Sequence, residues 1–205
     1  MSHRYLDIAV TPSVVRAQTR AYGAAYAPGD AGAPDTIGRD EAEFIAERDS
    51  FYVASVSETG WPYVQHRGGP KGFLRVLDER TLAFADFRGN RQLLTVGNAS
   101  ADPRVALFLM DYPGRRRLKI LGRATVVEAS ADAALAVQVT IPGTRARVER
   151  VVKIVVEAFD WNCPQHITPR YTLGEIEELA APLRARIAEL EAALAARGPR
   201  VDAAE

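Results

Sequence analysis

Hydrogen-bonding side chains meet glycines at the predicted end of a strand near residue 65. Gln65, His66 and Arg67 are followed by two glycines and then by Lys71. Backbone N–H groups exposed beside such side chains bind an anion or the polar edge of a flat ring. An exposed turn with ordinary polar ends would contain the same residues, so this motif alone leaves both interpretations open.

A second polar stretch runs from Asp86 through Asn90, Arg91 and Gln92 into an apolar helical pattern. A helix N-terminus offers unpaired N–H groups and the positive end of the helix dipole, which favour a phosphate. We expect Asn90 to cap the helix, with Arg88 or Arg91 forming charge-assisted bonds to phosphate oxygens. The alternative is a capped helix with solvated arginines.

Three cations alternate along another predicted strand, so that Arg115, Arg117 and Lys119 share one face. Such an arrangement is repulsive unless an anion or carboxylates lie among the cations. The alternative is a solvated basic edge strand, because edge charges also discourage pairing with other strands.

Aromatic, amide, thiol and imidazole groups are concentrated after the last predicted strand. The members of this cluster are Trp161, Asn162, Cys163, Gln165 and His166. Cys163 and His166 are the residue types of a nucleophilic pair, but a Cys with a His three residues later also has structural explanations. The chain has three histidines, and no ligand pair has a helical i, i+4 spacing that would indicate a metal site.

The composition excludes several classes of function. The net charge is zero, which argues against a nucleic-acid partner. A single cysteine excludes a disulfide within the chain. No apolar stretch approaches the roughly 20 residues that cross a membrane, and the N-terminus lacks a secretory signal. We therefore predict no membrane partner and a cytoplasmic location.

The hydrophobic periodicity predicts a mainly β fold with peripheral helices, of the α+β type. Strand segments between 51 and 161 are joined by turns too short for parallel crossovers, which indicates a six-stranded antiparallel barrel. Residues 105–112 read as a strand buried on both faces, and Gly122 as a bulge or barrel corner. Helices are predicted over 11–27, 39–49, 88–100 and 131–140.

The predicted organisation is an N-terminal helix and loop at 1–38, a barrel at 39–172 and a C-terminal amphipathic helix and tail at 173–205. Thr172 and Glu175 have the spacing of a capping box. Aliphatic residues then recur with a spacing of three or four, at Ile176, Leu179, Leu183, Ile187, Leu190 and Leu194. Two interpretations are open: the helix lies on its own barrel, or it forms a coiled coil in a dimer.

The co-occurrence of QHRGG, DFRGNRQ and WNCPQHI resembles the pyridoxamine 5'-phosphate oxidase-like family of FMN-binding split barrels, over roughly residues 40–171. The resemblance implies a homodimer with an FMN in each cleft between subunits. It aligns Asn90, Arg91 and Gln92 with the family's phosphate-binding triplet, and Arg67 or Lys71 with its strand-end cation.

The same resemblance assigns the flavin ring to other residues. Arg117 stands where the family places a glutamine near the ring. The partner subunit is expected to close the ring site with Trp161, Asn162, Gln165 and His166.

The implied activity is an FMN-dependent oxidoreductase acting on a small-molecule substrate or electron donor, with redox chemistry at the flavin N5. Two alternatives use the same fold. One is a reductase that binds the deazaflavin F420, whose acidic tail would suit the arginines at 115–117. The other is a protein that binds or stores flavin without catalysis.

Overall fold

A computed structural model describes residues 3–30, 32–89, 91–144, 146–161 and 164–196 of the chain. The helices in these residues are His3–Ala9 (α1), Pro12–Tyr22 (α2), Arg39–Ala46 (α3), Leu94–Ala101 (α4), Ala133–Val139 (α5) and Leu173–Ala196 (α6). The strands are Ser50–Val56 (β1), Pro62–Gly68 (β2), Arg75–Asp78 (β3), Thr81–Phe87 (β4), Arg104–Asp111 (β5), Arg116–Glu128 (β6) and Val148–Trp161 (β7).

All strands belong to one antiparallel sheet in the order β2-β1-β5-β6-β7-β4-β3. The sheet has two edges, β2 and β3, and it is not closed. It contains seven strands rather than six, because the short β3 pairs with β4 and adds an edge. The predicted class, a mainly β split barrel with peripheral helices, is confirmed.

The sheet curls until distant strands touch through aromatic side chains. Phe51 of β1 packs edge-on against Phe84 of β4, with ring centroids 5.4 Å apart, although three strands separate them in the sheet order. Phe73 stacks on the same Phe51 ring at 5.5 Å. The core therefore lies inside the curl, and the split runs between the edge strand β2 and β4.

Strand β5 buries only one of its faces, contrary to the prediction that both are buried. Val105, Leu107 and Leu109 are buried in the core, while the residues between them are partly exposed. The apolar run misled the prediction because the outer face of β5, which includes Phe108, is also rich in apolar residues. Helix α1 borders this part of the outer face, where Tyr5 lines a shallow cavity together with Phe108.

Gly122 lies at a bulge in the middle of the long strand β6, as predicted. The register between β6 and β7 shifts between Leu121 and Gly122. A Cβ atom at Gly122 would lie 2.7 Å from the carbonyl oxygen of Val155. Only glycine permits this approach, which bends β6 around the barrel.

The peripheral helices differ from the predictions mainly at their ends. The helix α1 was not predicted, and α2 ends at Tyr22 rather than 27 because Gly23 adopts the left-handed conformation, with φ 73°. In α3, Phe44 and Ile45 are buried against the core, as expected from their spacing. Among the described residues, no helix combines the length and apolarity needed to cross a membrane.

Helix α6 has the predicted capping box and leaves its apolar residues exposed. The Glu175 N–H donates to Thr172 Oγ1 at 3.2 Å, and the Thr172 N–H donates to the Glu175 carboxylate at 2.7 Å. The six predicted seam residues are between 47% and 71% exposed. In the described part of the chain α6 does not pack on the barrel, so the interpretation that it lies on its own barrel is wrong.

Candidate functional site

A cavity of about 300 Å³ opens in the split of the barrel, between β2, β4 and the start of α4. It brings together residues from both glycine-containing motifs, although about 20 residues separate those motifs in the chain. The predicted site residues that line the cavity are Gln65, Arg67, Asp86, Arg91 and Gln92.

Because side chains alternate between the two faces of a strand, three charged side chains point into the open end of the barrel. Asp86 of β4 lies directly opposite Arg150 of β7, two residues beyond the buried pair of Phe84 and Val152. Arg67 of β2 lies opposite the core residue Phe51. Because residues at i and i+2 share a face, these charges continue the apolar inner face. They form its polar end.

Asp86 joins three strands through two ion pairs. Arg67 Nη1 donates to Asp86 Oδ1 at 2.9 Å, and Arg150 Nε donates to Asp86 Oδ2 at 3.0 Å. The carboxylate is buried, and a buried charge requires such partners. The network ties the edge strand β2 to β4 across the split and fixes the Arg67 side chain beside the cavity.

The charge of Arg150 is secured by its carboxylate neighbours. Burial alone lowers the pKa of Arg150, but the hydrogen bond and the charge of Asp86, together with Glu149, raise that pKa above its ordinary value. Arg150 is therefore cationic at neutral pH and holds Asp86 in place through the 3.0 Å hydrogen bond from its Nε.

The loop between β4 and α4 differs from the prediction of a helix starting at residue 88. Arg91 and Leu93 have positive φ values of 63° and 52°, and α4 begins only at Leu94. Leu93 is the N-cap residue and its side chain makes no capping hydrogen bond. The expectation that Asn90 caps the helix is therefore wrong, because the helix begins four residues later; Asn90 itself lies outside the described residues.

The cavity presents donors suited to an anion. Arg67 Nε is buried and has no hydrogen-bond partner among the described residues. The first N–H groups of α4 have no carbonyl partner within the helix, as at any helix N-terminus. Buried Thr95 in this first turn donates from Oγ1 to Gln65 Oε1 at 2.7 Å, which orients the Gln65 amide.

Carboxylates offset most of the positive charge around the cavity. The guanidinium groups of Arg67, Arg91 and Arg150 stand against the carboxylates of Asp86 and Glu149, so the charged residues described in the lining carry one net positive charge. The donor set fits a phosphate group. The charge balance fits a singly charged phosphate better than a doubly charged one.

Two residues predicted to bind the cofactor lie on the opposite, outer face of the sheet. His66 packs edge-on against Tyr52, with ring centroids 5.5 Å apart. The Arg117 guanidinium lies over the Phe108 ring at 5.7 Å, and its buried Nε has no partner among the described residues. Neither side chain lines the cavity in the split.

The cationic strand is also partly neutralised. Lys119 Nζ lies 2.8 Å from the Asp160 carboxylate of the adjacent strand β7 and 4.5 Å from the centroid of the Tyr5 ring. Arg115 precedes β6 and adopts a left-handed conformation, with φ 52°. The predicted grouping of three cations on one strand face is therefore wrong for Arg115, because β6 begins only at the next residue.

The remaining predicted residues are dispersed. Lys71 lines a separate cavity of about 240 Å³ beside the end of β5. The Trp161 indole donates to Glu41 at 2.8 Å and packs edge-on against Phe44 of its own chain. Gln165 and His166 are exposed. Asn162, like Cys163, lies outside the described residues.

Four further polar residues that line the cavity were not predicted, namely Tyr63, Thr95, Glu149 and Arg150. A signal existed for Arg150, because it continues the inward positions of Val152 and Ile154 on β7. A charge at an inward position indicates either a buried partner or a site. No comparable signal marks Thr95, since its burial depends on how α4 lies against the sheet.

The family model for "Pyridoxamine 5'-phosphate oxidase" matches residues 39–158, more than half of the chain. The chain belongs to the pyridoxamine 5'-phosphate oxidase family. The matched range begins with α3 and includes the cavity in the split and every strand described, except the last three residues of β7. It excludes α1, α2 and α6. Among curated proteins, none matches the chain significantly.

Several solved structures are similar to this chain at low sequence identity. HupZ of Group A Streptococcus has a TM-score of 0.51 and 18% identity, covering 66% of this chain and 99% of HupZ. A Clostridium acetobutylicum protein related to general stress protein 26 has a TM-score of 0.45 and 13% identity, over 67% and 94% of the two chains. A protein described as an F420 reductase has a TM-score of 0.43 and 22% identity, over 58% and 94%.

Proposed function

We propose that this member of the pyridoxamine 5'-phosphate oxidase family is an FMN-dependent oxidoreductase that holds the flavin phosphate in the cavity of the split. One observation carries the proposal. The buried, unpartnered Nε of Arg67 and the uncapped N-terminus of α4 lie on the same cavity, which Arg91 also lines. Each of these groups is a donor or a positive charge that a phosphate oxygen satisfies.

The residues around the cavity then have distinct roles. Arg67, Arg91 and the first turn of α4 hold the phosphate, while Asp86 and Arg150 keep the Arg67 guanidinium in place. Gln65, oriented by Thr95, offers an amide to the polar chain of the cofactor. The bound flavin supplies hydride transfer at its N5, and the protein provides orientation and electrostatics.

We further propose that the flavin ring lies at the seam of a homodimer formed through the outer face of β1, β2, β5 and β6. Tyr52 and Val64 are exposed on this face and, with Phe108, line a shallow apolar cavity of about 350 Å³. Exposed apolar patches of this kind mark protein interfaces. The unpartnered Nε of Arg117 lies on the same face and is suited to a polar edge of the ring.

In this dimer, the segment after β7 of the second copy closes the ring site. Exposed Gln165 and His166, with the neighbouring Asn162, would provide its polar groups. Trp161 would anchor the segment through Phe44 and Glu41 of its own chain. The cytoplasmic location stays a prediction from the sequence.

A second cofactor, F420, is favoured by the charge balance of the cavity. One net positive charge matches the single charge of the F420 phosphodiester better than the double charge of the FMN phosphate. Competition between the two cofactors, followed by fluorescence quenching, separates these proposals. The alternative is supported if F420 displaces FMN when the two are present at equal concentration.

The test of the phosphate site is a titration of the purified protein with FMN and with riboflavin, which lacks the phosphate. We expect FMN to bind more tightly, and Arg91→Gln to weaken FMN by about 10- to 100-fold while leaving riboflavin unchanged. Arg39→Gln is the matched control, because Arg39 is exposed and pairs only with Glu43 within α3. Equal affinities for FMN and riboflavin in the wild type would contradict the proposal.

Turnover is tested separately from binding. Anaerobic addition of NADH or NADPH to the flavin-loaded protein bleaches the flavin absorbance if the protein is a reductase. A protein that binds flavin without being reduced by either donor, or by chemically diverse small-molecule donors, fits the non-enzymatic alternative.

A further inference from the structure

Helix α6 is long, apolar along one side and without a packing partner among the described residues. It spans 24 residues, and its side chains bury nothing against the barrel. Its start is held by the Thr172 and Glu175 capping box and by Arg170, whose guanidinium lies 5.0 Å from the Tyr112 ring centroid. Most helices in proteins owe their stability to a packed apolar face. This one lacks such packing within its own chain.

The apolar residues of α6 follow an unbroken heptad pattern once Ala180 is included. The a positions are Leu173, Ala180, Ile187 and Leu194, and the d positions are Ile176, Leu183 and Leu190. The spacing alternates between three and four residues throughout, which is the pattern of a two-stranded coiled coil. Pro182 occupies a c position on the outer side, so it does not interrupt the seam.

The charges beside the seam match a second copy of α6 in parallel orientation. In a parallel pair, a g residue faces the e residue five positions later on the other helix. Arg186 occupies a g position and Glu191 the corresponding e position. Arg186 pairs with Glu189 of its own helix at 2.9 Å, and in the parallel pair it would also face Glu191 of the second copy, twice by symmetry. Leu179 would then pack along the aliphatic stem of Arg184.

Two antiparallel alignments keep equally many contacts between a and d positions, and the charges disfavour one of them. The alignment that places Ala180 opposite Leu190 leaves Leu173 outside the seam, and e residues face e residues while g residues face g residues. Arg184 then faces Arg184, Arg186 faces Arg186 and Glu177 faces Glu191, so every charged pair is repulsive. The alignment that places Leu173 opposite Leu190 brings Glu177 against Arg184, and only the distances between labelled positions distinguish it from the parallel pair.

We propose that α6 forms a parallel, in-register, two-stranded coiled coil with α6 of a second copy of this chain. The interface extends from Leu173 to Leu194, and Arg186 and Glu191 stabilise the in-register parallel alignment. This pairing lies outside the matched family region and does not depend on a flavin.

The first test is disulfide cross-linking of the full chain in a Cys163→Ser background, which removes the single natural cysteine. In the parallel pair, Leu190→Cys places each thiol opposite its own copy, within the Cα range of a disulfide. In the two antiparallel alignments the thiols lie about 15 Å and about 25 Å apart along the helix axis. The matched control is Ala192→Cys, at an outward f position of the same helix.

We expect mild oxidation to cross-link Leu190→Cys at least about ten times faster than Ala192→Cys, since only the former lies at the seam. Equal rates would overturn the proposal, whether the helix folds back, binds a different protein or pairs antiparallel. Flavin binding is measured on the same samples. Failure of the flavin proposal would appear as absent quenching, with cross-linking unaffected.

The second test exchanges the charges of Arg186 and Glu191, which face each other in the parallel pair. Arg186→Glu or Glu191→Arg, each combined with Leu190→Cys, should slow cross-linking by about fivefold, because attraction becomes repulsion in both symmetric pairs. The double exchange should restore the original rate. If the double variant stays as slow as either single variant, the in-register parallel pairing is wrong.

Discussion

The barrel and helix α6 contain similar aliphatic residues, which are buried in the barrel and exposed on the helix. Leu82, Leu118 and Ile154 of the barrel are completely buried, whereas Leu183 and Leu194 of α6 are about two-thirds exposed. The sheet curls until β1 reaches β4, so the inner faces of its strands cover one another.

This difference shows that an amphipathic pattern predicts that apolar side chains are buried. It does not predict whether the same chain or a second molecule covers them. A sheet with a single apolar face finds its partner in the same chain by curling. A single helix with a seam of period 3.5 requires another helix, and the described residues offer none along α6. The free energy of unfolding should therefore respond very differently to matched substitutions in the two regions.

The largest expected effect is at Ile154 in the centre of β7. Ile154→Ala should lower the free energy of unfolding by about 2–5 kcal/mol, because it leaves a cavity in the core. The matched substitution Leu183→Ala on α6 should change barrel stability by less than about 0.5 kcal/mol. Urea unfolding followed by Trp161 fluorescence, in a Trp61→Phe background, measures both values.

Dilute protein serves as the control for this pair of substitutions, since a coiled coil between copies dissociates on dilution. A decrease of several kcal/mol in the free energy of unfolding for Leu183→Ala in dilute protein would contradict this comparison. It would mean that α6 packs against its own barrel in solution.

An intermediate effect is expected at the bulge of β6. Gly122→Ala should destabilise the barrel by about 1–3 kcal/mol, because the new methyl group meets the Val155 carbonyl oxygen and Ile154 Cγ2, each 2.7 Å away. Gly174→Ala is the control on α6, where a Cβ has no neighbour within 4 Å. Thermal unfolding compares the two. Equal melting temperatures for both variants would show that β6 does not need this bulge.

The smallest effect concerns the ion pairs that attach α1 to β7. Hydrogen bonds from Arg4 and then Arg123 hold the pKa of Glu157 below its ordinary value. A carboxylate with a lowered pKa stabilises the fold above the ordinary value of 4.5 and loses this contribution as the pH falls below it. Wild type should thus exceed Glu157→Gln in stability by up to about 1 kcal/mol at pH 7.

The measurement is the urea midpoint of both proteins between pH 7 and pH 3. The difference between wild type and Glu157→Gln should shrink as the pH falls below about 4.5. A difference that stays constant through this range would show that Glu157 acts through its shape rather than its charge.

The elements of the barrel follow closely from local pattern. All seven strands described lie within or next to the range of 51–161 in which strand segments were predicted. The bulge at Gly122 and the capping box at Thr172 were also predicted from the sequence, because each depends on a few neighbouring residues. The end of α2 and the start of α4 were misplaced. Both are decided by single residues in the left-handed conformation, Gly23 and Leu93.

The residues of the candidate site also divide into those that local sequence predicts and those that only the tertiary structure brings together. The sequence alone determined the residue types and the strand ends that carry Gln65, Arg67 and Asp86, since alternation and turn chemistry are local. Only the tertiary structure decided that Arg150 reaches Asp86 and that His66 faces away, because the curl of the sheet sets these distances. Whether a charge is paired depends on residues far apart in the chain, which no local pattern records.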